Sequence, residues 1–91
     1  MFLVSNQQPM LTILTKQKGK SKKTGLPLIK AISIYRDTSW FACYEELTIE
    51  QNHERAALAM VSDLKWSCEL IAVAKLYDNS YVSIFNNKET N

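Results

Sequence analysis

The sequence predicts an α+β fold, a small antiparallel sheet in the order β-β-β-α-β-β packed on one amphipathic helix at about residues 48–65. Three observations predict it. Thr48 followed three residues later by Gln51 is a capping box, and the residues behind it repeat with the 3.6-residue period of a helix. The segments on either side are short runs of apolar and β-favouring residues, bounded by turn-forming residues. With 46% hydrophobic residues, two Pro and two Gly in 91 residues, the chain has the composition of an ordered globule. Its length suits a single domain over residues 1–91.

After a polar lead ending at Pro9, Met10-Leu11-Thr12-Ile13-Leu14-Thr15 reads as the first strand. The stretch 16–25 has no apolar residue and holds both glycines, which predicts a mobile Lys-rich loop. From Leu28 to Arg36 alternation returns, with Ile32 and Ile34 on one side and Ser33 and Tyr35 on the other. Asp37-Thr38-Ser39 supplies a turn, and Trp40-Phe41-Ala42-Cys43-Tyr44 a third strand.

In the helix, Ile49, His53, Ala56, Ala57, Met60, Val61 and Leu64 fall on one arc, and Gln51, Asn52, Glu54, Arg55, Ser62, Asp63 and Lys65 on the rest. Leu58 interrupts the polar side. Trp66 would also point outward if the helix reached it. Leu70 to Tyr77 reads as a strand, with a second helix as its rival because Ala72 and Ala74 favour helix. An Asp78-Asn79 turn leads to a last strand, Tyr81 to Phe85, and the tail 86–91 is expected to fray.

The charges are segregated along the chain. Seven basic residues and no acid precede Asp37, while all nine acids and only four basic residues follow from there. Such asymmetry suits a polyanionic partner for the first part, or head-to-tail self-association. Lys16, Lys18, Lys20, Lys22 and Lys23 are the candidate nucleic-acid contacts, and a strand-like period through Lys16, Lys18, Lys20 and Lys22 would aim them to one side. With no Arg for bidentate base reading and no aromatic for stacking, such contacts would be non-specific.

Catalytic chemistry is disfavoured, and no cofactor or metal is expected. Gly19-Lys20-Ser21 copies the end of a phosphate-binding loop, but Leu14 stands where that motif needs Gly, and no helix follows. Glu45 and Glu46 are neighbours that a strand would send to opposite faces. Cys43 and Cys68 form no Cys-x-x-Cys pair and read as buried free thiols, and the lone His53 reads as a packing residue. No run approaches the length of a membrane span, and Met1-Phe2-Leu3-Val4 is too short for a signal peptide, so a cytoplasmic protein is expected.

The aromatic residues pack a small sheet, but alternation must turn one set of strand residues away from the helix. Trp40 and Tyr44 on the third strand, with Leu58 and Trp66 as a second patch, are therefore the candidate protein-binding residues. A protein partner is the first expectation, a nucleic acid the alternative, and a homodimer a third arrangement.

The layout, with its Lys-rich hairpin at Lys16 to Lys23, its few Gly and Pro and its polar tail Asn86-Asn87-Lys88-Glu89-Thr90-Asn91, resembles the short accessory proteins of temperate enterobacterial phages. That resemblance covers the whole chain without a diagnostic motif, so it carries over no functional residue. It implies a non-catalytic protein, working in the host cytoplasm, that inhibits or redirects a host or rival-phage macromolecule.

Overall fold

The fold is built around one hydrophobic row on the first strand. In the computed structural model, which describes residues 10–87, Leu11, Ile13 and Thr15 are buried on one face of the sheet beneath the helix. The elements are β1 (Met10–Lys20), β2 (Pro27–Ser33), β3 (Thr38–Ala42), α1 (Ile49–Leu64), β4 (Cys68–Lys75) and β5 (Tyr81–Asn87). All pairings are antiparallel, in the order β3-β2-β1-β5-β4, and α1 packs against all five strands. The α+β class and the element order are as the sequence predicts.

Between α1 and the sheet lie Leu11, Ile13, Ala31, Ala57, Met60, Val61 and Phe85, flanked by Phe41, Leu64, Trp66, Cys68 and Leu70. The capping box forms as expected. The Gln51 amide donates to the Thr48 hydroxyl at 3.1 Å, and the Thr48 amide donates to Gln51 Oε1 at 2.9 Å. At the other end Lys65 adopts a left-handed conformation (φ 60°), and the Trp66 amide closes the last turn on the Val61 carbonyl. The helix therefore stops before Trp66. That residue turns inward onto the core, edge-on to Tyr35 with ring centroids 5.9 Å apart, so the outward orientation that a longer helix would have given it does not arise.

Several boundaries differ from expectation, each for a local reason. β1 continues to Lys20, so the segment 16–20 is strand and the turn is confined to Ser21–Gly25. The lysines there need no burial to pair, because Lys16 and Gln17 lie opposite Lys30 and Ile29 of the neighbouring strand. A bulge between Gln17 and Lys20 places Gly19 at φ +70°, a conformation a side chain disfavours. β2 stops at Ser33 instead of Arg36. There the Ser33 hydroxyl accepts from the amides of Tyr35 and Asp37 and donates to the Asp37 carboxylate, bending the chain early, with Arg36 at φ 72°.

β3 accordingly starts at Thr38 and ends before Tyr44. Residues 68–75 are strand and not the rival helix, and β5 runs on through Asn87. The lead up to Pro9 and residues 88–91 of the tail lie outside the described residues. No helix among the described residues is long and apolar enough to cross a membrane.

Candidate functional site

Half of the sheet's strand residues face away from α1, and the register shows what they are. Thr38, Ile32, Leu14, Val82 and Ala74 form one row across all five strands. Beside it runs the row Thr12, Ile84 and Ala72, and on its other side Trp40, Lys30 and Lys16, with Leu28 and Ala42 beyond. Nothing among the described residues lies over this face. Leu14, Leu28, Ile32, Val82 and Ile84 are only half-buried by one another, and Trp40 is 52% exposed.

Beneath the helix the row Leu11, Phe85, Leu70 is wholly apolar, but the two rows beside it are mixed. They read Ser33, Ile13, Ser83, Val73 and Ser39, Ala31, Thr15, Tyr81, Lys75. Among the described residues the sheet thus has two faces with hydrophobic rows and one helix to cover them.

The basic charges on the uncovered face sit at one end. Lys16 and Lys30 are direct cross-strand partners, and the Lys30 ammonium lies 5.8 Å from the centre of the Trp40 ring. Glu69, opposite Asn86, marks the far margin on β4.

The sequence-predicted site residues are not brought together. Tyr44 lies beyond β3, in the connection to α1, where its hydroxyl accepts from Arg55 at 2.7 Å and its ring lies under the Arg55 guanidinium. It therefore does not extend the face that carries Trp40. Leu58 is 43% exposed on the outer side of α1, and Trp66 is drawn into the core at the helix's far end. The lysines divide as well. The bulge gives Lys20 the same facing as Gln17, opposite to Lys16, and Lys22 and Lys23 sit in the turn, so the two-residue period does not aim them to one side.

Asn52 and His53 are the buried polar residues of α1. Asn52 holds the connection from β3: its Oδ1 accepts from the Tyr44 amide at 2.7 Å, and its Nδ2 donates toward the carbonyls of Tyr44, Leu47 and Thr48. Sequence periodicity alone puts it on the polar arc. The signal for its role was its position four residues after the cap, next to the incoming chain.

His53 is 1% exposed, stacked at 4.3 Å on Tyr81, with Nδ1 2.8 Å from the Thr15 hydroxyl. That hydroxyl donates to the Tyr81 carbonyl at 3.3 Å, which leaves Nδ1–H as the donor to Thr15 and fixes the tautomer. Burial pushes the imidazole below its ordinary value, and an interaction with the Thr15 backbone offsets only part of that.

A depressed value means the folded chain binds the proton less readily than the unfolded one. The corresponding stability is complete above the ordinary histidine value of about 6.5 and is lost as pH falls through the folded value. As the sole histidine, His53 gives an isolated ring-proton NMR signal, whose titration midpoint is expected below that ordinary value. A midpoint at or above it would contradict the enclosed neutral ring.

Cys43 and Cys68 are free, half-buried thiols pushed upward by burial. Among the described residues no three His, Cys, Asp or Glu side chains are grouped as metal ligands.

The fold and surfaces define a small α+β protein in which, among the described residues, one helix covers one face of the sheet and leaves the other, apolar face open. No family model matches this chain, and neither a curated protein nor a solved structure matches it.

Proposed function

We propose that this chain is a non-enzymatic interaction protein that docks another protein on the uncovered face of its sheet. One observation carries the reading: the outward row Thr38, Ile32, Leu14, Val82, Ala74 is more apolar than two of the rows beneath α1, those through Ile13 and Ala31. An antiparallel sheet with one wet face ordinarily alternates polar side chains outward, whereas here Thr15, Ser33 and Ser83 point in while Leu14, Ile32 and Val82 point out. Five strands at about 4.8 Å spacing and roughly six residues of about 3.3 Å each make a plane of about 24 by 20 Å, or about 480 Å², a little over half of the ~800 Å² per partner of a stable complex, the rest falling to the rim around it.

The chemistry of the partner follows from the border of that plane. Lys16 and Lys30 favour an apolar surface edged by carboxylates, and Trp40 is the anchor, an exposed aromatic held by Lys30. The resemblance in layout makes a host or rival-phage protein the partner to look for.

The test is affinity capture from source-cell lysate followed by titration with the purified partner. Trp40→Ala is expected to weaken binding about 30-fold, equivalent to ~2 kcal/mol, and Val82→Glu to abolish it, while Leu58→Ala leaves it unchanged. Equal binding by wild type and Val82→Glu would overturn the reading. So would a self-dimer in light scattering that Val82→Glu abolishes, or DNA binding that Lys18→Ala, Lys22→Ala and Lys23→Ala remove.

A further inference from the structure

On the helix side of the sheet, away from the proposed docking face, two clefts meet at His53. The larger, of ≈ 520 Å³, lies between the start of α1 and the β4–β5 turn and is lined by Lys16, Lys18, Lys75, Asp78, Ile49 and His53 among others. The smaller, of ≈ 220 Å³, runs from His53 and Ile49 toward Leu26, Pro27 and Leu47. Both clefts share Gln17, Ile49 and His53. A cleft lined by lysines thus adjoins a mainly apolar one, and the larger alone is within the about 300–1,000 Å³ of small-molecule sites.

We propose that these adjoining clefts bind an organic phosphomonoester, its phosphate among Lys18, Lys75 and His53 and its apolar or aromatic portion against Ile49, Leu26, Pro27 and Leu47.

Lys16, Lys18 and Lys75 line the larger cleft with one acid, Asp78, and its carboxylate is already engaged. Asp78 Oδ1 accepts from the amide and the hydroxyl of Ser80, bonds that hold the carboxyl below its usual range, with the Lys16 charge adding to them. Asp78 therefore shapes the β4–β5 turn, while Lys18 and Lys75 are left to attract an anion.

His53 narrows the choice of anion. Its Nδ1–H is spent on Thr15, and among the described residues Nε2 has no hydrogen-bond partner, although the residue is 1% exposed and lines both clefts. A neutral imidazole with that tautomer presents Nε2 as an acceptor. A ligand for this site must offer a donor there as well as acceptor oxygens for the lysines. A phosphomonoester, whose second ionisation lies near pH ~6, carries a P–OH in part of its population at neutral pH. Sulfate and carboxylates carry none, so the site should discriminate between anions of similar charge and size.

Isothermal titration of the full chain at low salt, with phenyl phosphate, inorganic phosphate and sulfate as probes, tests this, with the His53 ring signals followed by NMR. Phenyl phosphate is expected to bind best, inorganic phosphate several-fold less tightly, and sulfate at least about tenfold more weakly than inorganic phosphate. The His53 signals should shift with both phosphates. The double variant Lys18→Met, Lys75→Met, which alters two exposed side chains and leaves the core intact, should lose at least about tenfold in phenyl phosphate affinity, while Trp40→Ala loses none.

Equal binding of phosphate and sulfate, unmoved His53 signals, or no binding of phenyl phosphate by the folded chain would each overturn the proposal. Its failure would leave the docking face untouched, because the variants that report on that face, Trp40→Ala and Val82→Glu, lie on the opposite side of the sheet.

Discussion

Phe85→Ala should cost about 3–5 kcal/mol of folding stability, the largest loss expected of any single truncation in this chain. Phe85 is 1% exposed on β5, paired with Leu11 on one side and Leu70 on the other, beneath α1 in the cluster that holds Met60 and Val61. It joins the central strand, the edge strand β4 and the helix. Removing the ring forfeits its transfer energy and leaves a void that the paired backbones of β1 and β4 cannot close. A domain of this size has a total stability of roughly 5–15 kcal/mol, so the variant should be largely unfolded on mild warming. Urea unfolding followed by circular dichroism measures this, and Phe85→Leu, which refills most of the space, should recover more than half of the loss. A Phe85→Ala cost below about 1 kcal/mol would show that the helix does not seat on this part of the sheet.

Asn52→Ala should destabilise by about 2–4 kcal/mol, more than its small side chain suggests. The amide accepts one main-chain hydrogen bond and donates to three carbonyls, all from the segment that carries the chain out of β3 and into α1. Alanine leaves the Tyr44 amide and the Leu47 carbonyl to find water in a half-buried bend. Deletion of a buried partner costs more than the bond it made, because the groups left behind remain desolvated. Asn52→Asp keeps the acceptor and loses the donors, and should fall between wild type and alanine. Hydrogen exchange adds a local readout: the Tyr44 amide should exchange much faster in Asn52→Ala, beyond the change in global stability. An unchanged Tyr44 amide would mean that the bend is held by other contacts.

Much of the architecture was legible in the sequence because its signals were local. Thr48 and Gln51 sit three residues apart, and their reciprocal bonds form as that spacing dictates. The helix period likewise placed Ala56, Ala57, Met60 and Val61 in the core. What was not legible depended on partners distant in sequence. The lysines after Thr15 look like loop because nothing in their composition reports that β2 lies alongside to pair with them.

The facing of the strands was hidden for a related reason. In β1 the residues turned inward end with Thr15, while Leu14 points out, so hydropathy alone gives no direction. Thr15 is inside because His53 and the Tyr81 carbonyl meet its hydroxyl there. Of the candidate site, Trp40 was legible as an aromatic on alternating backbone. Tyr44 lies off the strand because β3 ends two residues before it, while the helix ends where composition put it and Trp66, just beyond, turns inward onto the core.

The strand order also governs how the molecule can assemble itself. The centre of the sheet is the first strand along the chain, and one of its two neighbours is the last, so that Thr15 and Tyr81 meet across a separation of 66 residues. A nascent polypeptide that has released only the opening hairpins and the helix holds its middle strand with one flank unzipped. Closing that seam requires a long loop to be drawn shut before any reward is gained, which sets a slower pace than a helical bundle of equal length would keep. Until then the bare flank is a template for any passing extended segment.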